Sequence, residues 1–190
     1  MRSEEIIERF KATGALLEGH FVLTSGLHSP NYLQCALVLQ HPAEAERFGQ
    51  AIADNFRGQG IELVASPAIG GIVIGHEVAR QLGARFIWTE RESGQMILRR
   101  GFSVSSGEKT LVVEDVVTTG GSTFETVKAL QAAGANVIAA ASIIDRSDGQ
   151  AKVGVPRIAL ATLNVPAVEA SVCELCRHGE PVVKPGSRKR

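Results

Sequence analysis

The sequence predicts an α/β protein: a central parallel sheet flanked by helices, with a small turn-rich element ahead of it. Three observations predict it. From Pro42 onward, apolar runs of strand length alternate with stretches of helical periodicity, the pattern of βα units joined by right-handed crossovers. Two of those runs, before SPAIGG at 66–71 and TTGGST at 118–123, end in glycine-containing turns that open into a helix. The chain has 190 residues, 44% of them hydrophobic and 21% charged, which suits one globular unit with a sizeable core.

In chain order, Ile6, Ile7 and Phe10 recur at helical spacing, so residues 3–13 predict a short amphipathic helix capped by Ser3. Residues 14–40 carry Gly14, Gly19, Gly26 and Pro30 between runs such as Phe21-Val22-Leu23 and Tyr32-Leu33. They predict a small β-element outside the main sheet. Residues 42–57 read as a helix, 61–66 as a strand, 71–82 as a helix and 85–88 as a strand. Residues 110–115 form the next strand, 122–133 a helix, 136–144 a strand and 156–163 a last strand. The organisation expected is a hood over 1–40, a core over 41–165 and a segment over 166–190 that completes the hood and the tail, all in one structural unit.

Lys+Arg and Asp+Glu both number 20, so the formal net charge is zero; a general nucleic-acid or membrane binder would show a basic excess. The basic stretch over 184–190 reads as a solvated terminus. No apolar run has the roughly 18–20 residues of a membrane span. MRSEEIIERF places charges where a signal peptide would be apolar, so a cytoplasmic protein is expected. Cys35 reads as a small core residue. Cys173 and Cys176 form a CxxC near His178, one donor short of a closed zinc site, and a lone CxxC is a weak metal signal. His20, His28 and His41 sit in or near the hood and read as structural.

The chemistry concentrates in LVVEDVVTTGGST, residues 111–123. Its glycines let backbone approach a ligand, and its N–H groups gather at the positive end of the next helix, a nest for a phosphate dianion. Neither the P-loop pattern nor the dinucleotide GxGxxG is present. Glu114 and Asp115 would repel a phosphate, but they suit the hydroxyls of a ribose 5-phosphate whose phosphate takes the nest. Strand alternation leaves only one of them facing the sugar directly. The competing reading is a plain strand end with Ser122 as helix cap, which leaves two carboxylates between pairs of valines unexplained.

That segment resembles the phosphoribosyl-diphosphate signature of type I phosphoribosyltransferases, and the rest of the chain is similar to the orotate phosphoribosyltransferases among them. LLEGHFVLTSGLHSPNYLQ resembles the hood, with Ser25, Gly26, Ser29 and Pro30. SPAIGGI resembles the pyrophosphate loop, and IIDRSDG the segment that supplies an orotate-binding arginine. The likeness covers residues 1 to about 180 and implies the type I phosphoribosyltransferase fold. It also implies Mg2+-dependent transfer of ribose 5-phosphate from 5-phosphoribosyl 1-diphosphate to N1 of orotate, in pyrimidine biosynthesis, by a homodimer. By position it implies that Glu114, Asp115, Val116, Val117, Thr118, Thr119, Gly120, Gly121 and Ser122 hold the sugar phosphate. It assigns orotate to Thr118 and Arg146. Arg146 carries the guanidinium fork that a planar anion needs, although an arginine there could also be a solvated strand end. Mg2+ is expected mainly on the substrate, with no side-chain ligand assigned.

The chain departs from the family pattern at three places. Thr24 stands where a lysine is usual before Ser25-Gly26, and Gly70 where the pyrophosphate loop often has a lysine. TERESGQMILRRGFSVSSG, after Trp88, replaces a longer lysine- and histidine-containing mobile loop. Arg91, Arg99 and Arg100 are then the cations expected to offset the diphosphate, with Gly70 as a further diphosphate contact and Arg91 on a loop that closes over the site of its own or a neighbouring subunit. Two alternatives stay open. One is a type I phosphoribosyltransferase for a purine or uracil base, which needs neither hood nor Arg146; the other is a non-catalytic regulator that kept the fold.

Overall fold

The structure is a computed structural model that describes residues 1–23 and 25–185; Thr24 and most of the basic tail lie outside the described residues. A two-stranded antiparallel hairpin precedes a six-stranded sheet of strand order β5-β4-β3-β6-β7-β8. This is the α/β architecture that the alternating pattern predicts.

Helix α1 (Ser3–Ala12) buries Ile6 and Phe10, one turn apart. Ser3 does not cap it. Arg2 holds that position without a side-chain cap bond, and the Ser3 hydroxyl donates instead to the Leu160 carbonyl at 3.4 Å. The hood hairpin is β1 (Leu16–Val22) and β2 (His28–Leu33), followed by a short helix α2 (Cys35–Leu39) within the stretch predicted as turn-rich β. Cys35, Val38 and Leu39 are its buried residues, and their i, i+3, i+4 spacing is helical. The run is too short for periodicity to separate helix from strand.

Helix α3 (Pro42–Ala53) leads to β3 (Leu63–Pro67), α4 (Gly71–Leu82) and β4 (Arg85–Glu92). Then come β5 (Gln95–Leu98), β6 (Lys109–Val117), α5 (Gly121–Ala132), β7 (Asn136–Asp145) and β8 (Arg157–Thr162). Strands β4, β3, β6, β7 and β8 pair in parallel, whereas β5 pairs antiparallel with β4. Alternation along β6 sends Leu111 and Val113 to one face and Val112 to the other. The first face packs on Phe10, Phe48, Ile52, Ile74 and Val78, the second on Val127 and Leu130 of α5. Each such buried side chain contributes about 1.5–3 kcal/mol of burial energy. The core lies on both faces of the sheet, so β3 and β6 end at one carboxyl edge with little freedom to move.

The segment after Trp88 is a hairpin, not an open loop. Ser93 and Gly94 both have left-handed φ (48° and 85°), the signature of a type I′ turn that joins two twisted strands with two residues. The Ser-Gly dipeptide between extended runs was the available signal. Beyond β8 the chain returns to the hood through a 3-10 turn (Ala170–Val172) and a four-residue helix α6 (Glu174–Arg177). Val22 N–H donates to the Val183 carbonyl at 2.9 Å and His28 N–H to the Val168 carbonyl at 2.8 Å, so this segment lies against both strands of the hairpin. Among the described residues no helix is long and apolar enough to cross a membrane.

Candidate active site

The carboxyl ends of β3, β6 and β7 converge on Glu114, Asp115 and Arg146. Asp115 N–H donates to Glu114 Oε1 at 3.2 Å, and Val116 N–H to Asp115 Oδ1 at 2.8 Å. The 67–71 turn covers both acids: a Cβ on Gly70 would lie 2.9 Å from the Asp115 carboxylate oxygens, and one on Gly71 3.0 Å from Glu114 Oε1. This explains why glycine stands at 70 where a lysine was the family expectation. Any side chain there would meet Asp115 first. A cis peptide joins Ala68 to Ile69 in the same turn.

Burial, with the adjacent Asp115 charge second, pushes the Glu114 carboxyl well above the usual carboxylate range. Burial also raises Asp115, and a hydrogen bond from Glu114 and the backbone N–H of Val116 offset part of the rise. Burial thus disfavours charge on both carboxyls, and more strongly on Glu114 than on Asp115. Cys35 is core, as expected, yet it also belongs to this cluster. Burial and then the charges of Asp115 and Glu114 raise its thiol well above the usual range, so its S–H stays on beside Asp115. Nothing in the local sequence links Cys35 to Asp115; the short helix α2 brings them together.

The loop from Thr118 to Ser122 joins β6 to α5. Gly120 holds the cap position with φ 81°, and no side chain caps the helix, so Ser122 is not the N-cap. Thr118, Thr119, Gly121 and Ser122 are exposed, and the first amides of α5 have no intrahelical partner. A Cβ on Gly120 would meet Val153 Cγ1 at 3.0 Å and Ala151 Cβ at 3.1 Å. The reason for glycine here is thus both its left-handed backbone and the 151–153 segment behind it, rather than open space in front.

Arg146 follows β7 directly, its N–H bonded to the Val117 carbonyl at 2.8 Å. Burial pulls its guanidinium below the usual arginine value, opposed by Tyr32 of the hood and by Cys35. Its Nε is buried and finds no hydrogen-bond partner among the described residues. Arg146 is therefore half-buried rather than a fully solvated strand end. The preceding Asp145 has a different task. It accepts from Ser147 N–H at 2.8 Å, Ser147 Oγ–H at 2.6 Å, Gly149 N–H at 2.9 Å and Arg157 at 2.9 Å. Burial would raise its pKa, but these donors prevail and hold it at about 2. Asp145 pins the turn from which Arg146 projects.

The three expected diphosphate cations already have partners. Arg91 pairs with Glu125 of α5 at 2.6 Å and donates to the Gly94 carbonyl; Arg99 pairs with Glu92 at 3.3 Å, and Arg100 with Glu90. Arg91 lies inside β4, opposite Met96, so it cannot swing on a loop as the sequence reading had it. The ladder with β5 fixes its backbone, leaving only its side chain to move. His178 is exposed at the end of α6, away from the grouping expected for it. The atoms near the Cys173 and Cys176 thiols are the ring nitrogens of His20 and His28.

Residues 36–158 match the phosphoribosyl transferase domain family. Over its full length the chain is 51% identical to an orotate phosphoribosyltransferase of Desulforamulus reducens, covering 99% of that protein. It is 50% identical to an orotate phosphoribosyltransferase of a Thermoanaerobacter species, covering all of it. Among solved structures, the orotate phosphoribosyltransferase of Aeropyrum pernix superposes with a TM-score of 0.68 at 26% identity, over 83% of this chain and 93% of that one. With an acid pair, a phosphate-type loop and a half-buried arginine at one sheet edge, the chain belongs to the orotate phosphoribosyltransferase family of type I phosphoribosyltransferases.

Proposed function

We propose that this site transfers ribose 5-phosphate from 5-phosphoribosyl 1-diphosphate to N1 of orotate, releasing pyrophosphate and orotidine 5'-monophosphate in pyrimidine biosynthesis. The observation that carries the reading is Arg146: a half-buried guanidinium whose buried Nε has no partner, near Tyr32 and Cys35, suits an acceptor that is itself a planar anion. A neutral purine or uracil could accept a hydrogen bond there but would bring no negative charge to the guanidinium, so the favoured acceptor is the anionic base.

In this reading the exposed amides at the start of α5 and the Thr118–Ser122 loop take the 5-phosphate. Asp115 accepts from a ribose hydroxyl, and Glu114 accepts from the other. Thr118 and Arg146 orient orotate against C1 of the sugar. The C1–diphosphate bond breaks as the sugar acquires oxocarbenium character, and N1 closes on the same carbon while its proton passes to the departing pyrophosphate; the chain supplies placement and field rather than a nucleophile. The acid pair and the turn carbonyls are hard oxygen donors compatible with Mg2+, which when bound would neutralise part of the diphosphate charge. The assay is direct. Protein with sugar diphosphate and Mg2+ should consume orotate and neither adenine nor uracil, and EDTA should stop it. Turnover of another base in preference to orotate would refute the assignment.

Arg91, Arg99 and Arg100 are proposed to offset the leaving diphosphate by exchanging their carboxylate partners for it. These pairs are exposed, and such pairs cost only about 0–1 kcal/mol to break. Arg91→Ala should weaken pyrophosphate roughly tenfold, as loss of one charge-assisted contact implies, while orotate affinity holds. Full activity in this variant and in the Arg99→Ala, Arg100→Ala double variant would remove the role. A homodimer in the cytoplasm, acting without nucleic acid or membrane, completes the proposal. Activity recovered on mixing Arg91→Ala with Asp115→Asn chains would place Arg91 across the subunit interface, and sedimentation as a monomer would exclude that.

A further inference from the structure

Four donor side chains far apart in sequence meet behind the hood. His20 is on β1, His28 opens β2, and Cys173 and Cys176 flank the start of α6; their ligand atoms all lie within 4.8 Å of one another. Cys173 Sγ and Cys176 Sγ are each 3.6 Å from His20 Nε2, and Cys176 Sγ is 3.3 Å from His28 Nδ1. The two ring nitrogens are 2.8 Å apart. Zn–N bonds of about 2.0–2.1 Å and Zn–S bonds of about 2.3 Å give a tetrahedron with N···S edges of roughly 3.6 Å and an N···N edge of roughly 3.3 Å. The two edges from His20 to the sulfurs match, and the edge from His28 to Cys176 is slightly short. The two imidazoles need to part by about half an ångström to admit an ion of that size.

The outer contacts fit the same arrangement. His20 Nδ1 lies 2.8 Å from the Glu180 carbonyl, which can only accept, so Nδ1 carries the proton. Nε2 is then left as a lone pair aimed at the cluster, as in ligating histidines whose second nitrogen donates to a carbonyl. His20 is 4% and Cys173 2% exposed, so these two donors are withdrawn from water. The surroundings also need a fastener. Val168, Val172, Val182 and Val183, which should seat the C-terminal segment on the hairpin, are 40–55% exposed. A two-stranded sheet with so little apolar cover is marginal by itself.

We propose that His20, His28, Cys173 and Cys176 bind one zinc ion in a closed, structural Cys2His2 site that fastens the C-terminal segment to the hood. All four positions come from the protein, so no place is left for water or substrate. The soft thiolates and the N2S2 set favour zinc over the Mg2+ of the reaction. Tyr32, which faces Arg146, is on the same hairpin, so the ion holds the strand that roofs the acceptor pocket.

The test uses the full chain, purified under reducing conditions without added chelator. Elemental analysis should find about one zinc per chain, and protein stripped of zinc should bind Co2+ with the strong visible bands of tetrahedral thiolate-ligated cobalt. Cys176→Ser and His28→Ala should each cut zinc retention at least tenfold and lower the melting temperature, while His178→Ala keeps the metal. Cys176 is exposed, so its replacement by serine is not expected to prevent folding. The proposal fails if the reduced wild-type chain neither retains zinc nor takes up Co2+, or if His178→Ala loses the metal while His28→Ala keeps it.

Discussion

Asp115→Asn should lower kcat/KM for the sugar diphosphate by about 30- to 150-fold, which corresponds to roughly 2–3 kcal/mol for a charge-assisted hydrogen bond to a sugar hydroxyl. The fold should not suffer. Asp115 is buried beside Glu114 under the 67–71 turn, and burial already works against its charge. An amide of the same shape still accepts from Val116 N–H, and it relieves the repulsion that raises Glu114. The melting temperature should therefore hold or rise while activity falls, a combination that a purely structural residue would not produce. Kinetics measured against sugar diphosphate, with thermal melts of the same preparations, check both halves. Wild-type kinetics would remove the ribose assignment, and a large fall in melting temperature would make Asp115 a structural residue.

Arg146→Ala should raise the KM for orotate by roughly 30- to 1000-fold, about 2–4 kcal/mol for loss of one partner of a desolvated charge pair. Affinity for the sugar diphosphate should stay within a few-fold of wild type. The asymmetry follows from position. Arg146 projects from the turn pinned by Asp145 toward Tyr32 and Cys35, whereas the phosphate loop belongs to β6 and α5. Without substrate the variant loses a buried donor that has no partner, so its stability should not fall. Equal loss for both substrates would mark Arg146 as structural, and a shift in base preference from orotate to uracil would show it to be the acceptor's specificity determinant.

The acid pair was the most legible part of the site in the sequence. Glu114 and Asp115 stand out because two carboxylates interrupt a run of valines, and the TTGGST loop follows them immediately. Strand, turn and helix patterns, and the glycine that a left-handed cap requires, are short-range properties. A window of about a dozen residues contains them, so the order of elements in the core and the place of the phosphate loop could be read directly. Where the reading failed locally, at α2 and at the β4–β5 hairpin, the run was too short to carry a period or the turn signal rested on two residues.

What the tertiary structure alone decided is which distant groups share a space. It placed Cys35 against Asp115, Tyr32 near Arg146 and Gly70 over the acid pair, and it tied Arg91 to Glu125. It set His178 apart from the thiols and brought His20 and His28 to them. None of this follows from periodicity. It depends on the order in which the strands join and on where the hood and the C-terminal segment dock. Those are set by burial of apolar surface summed over the whole chain, and burial is indifferent to distance along the sequence.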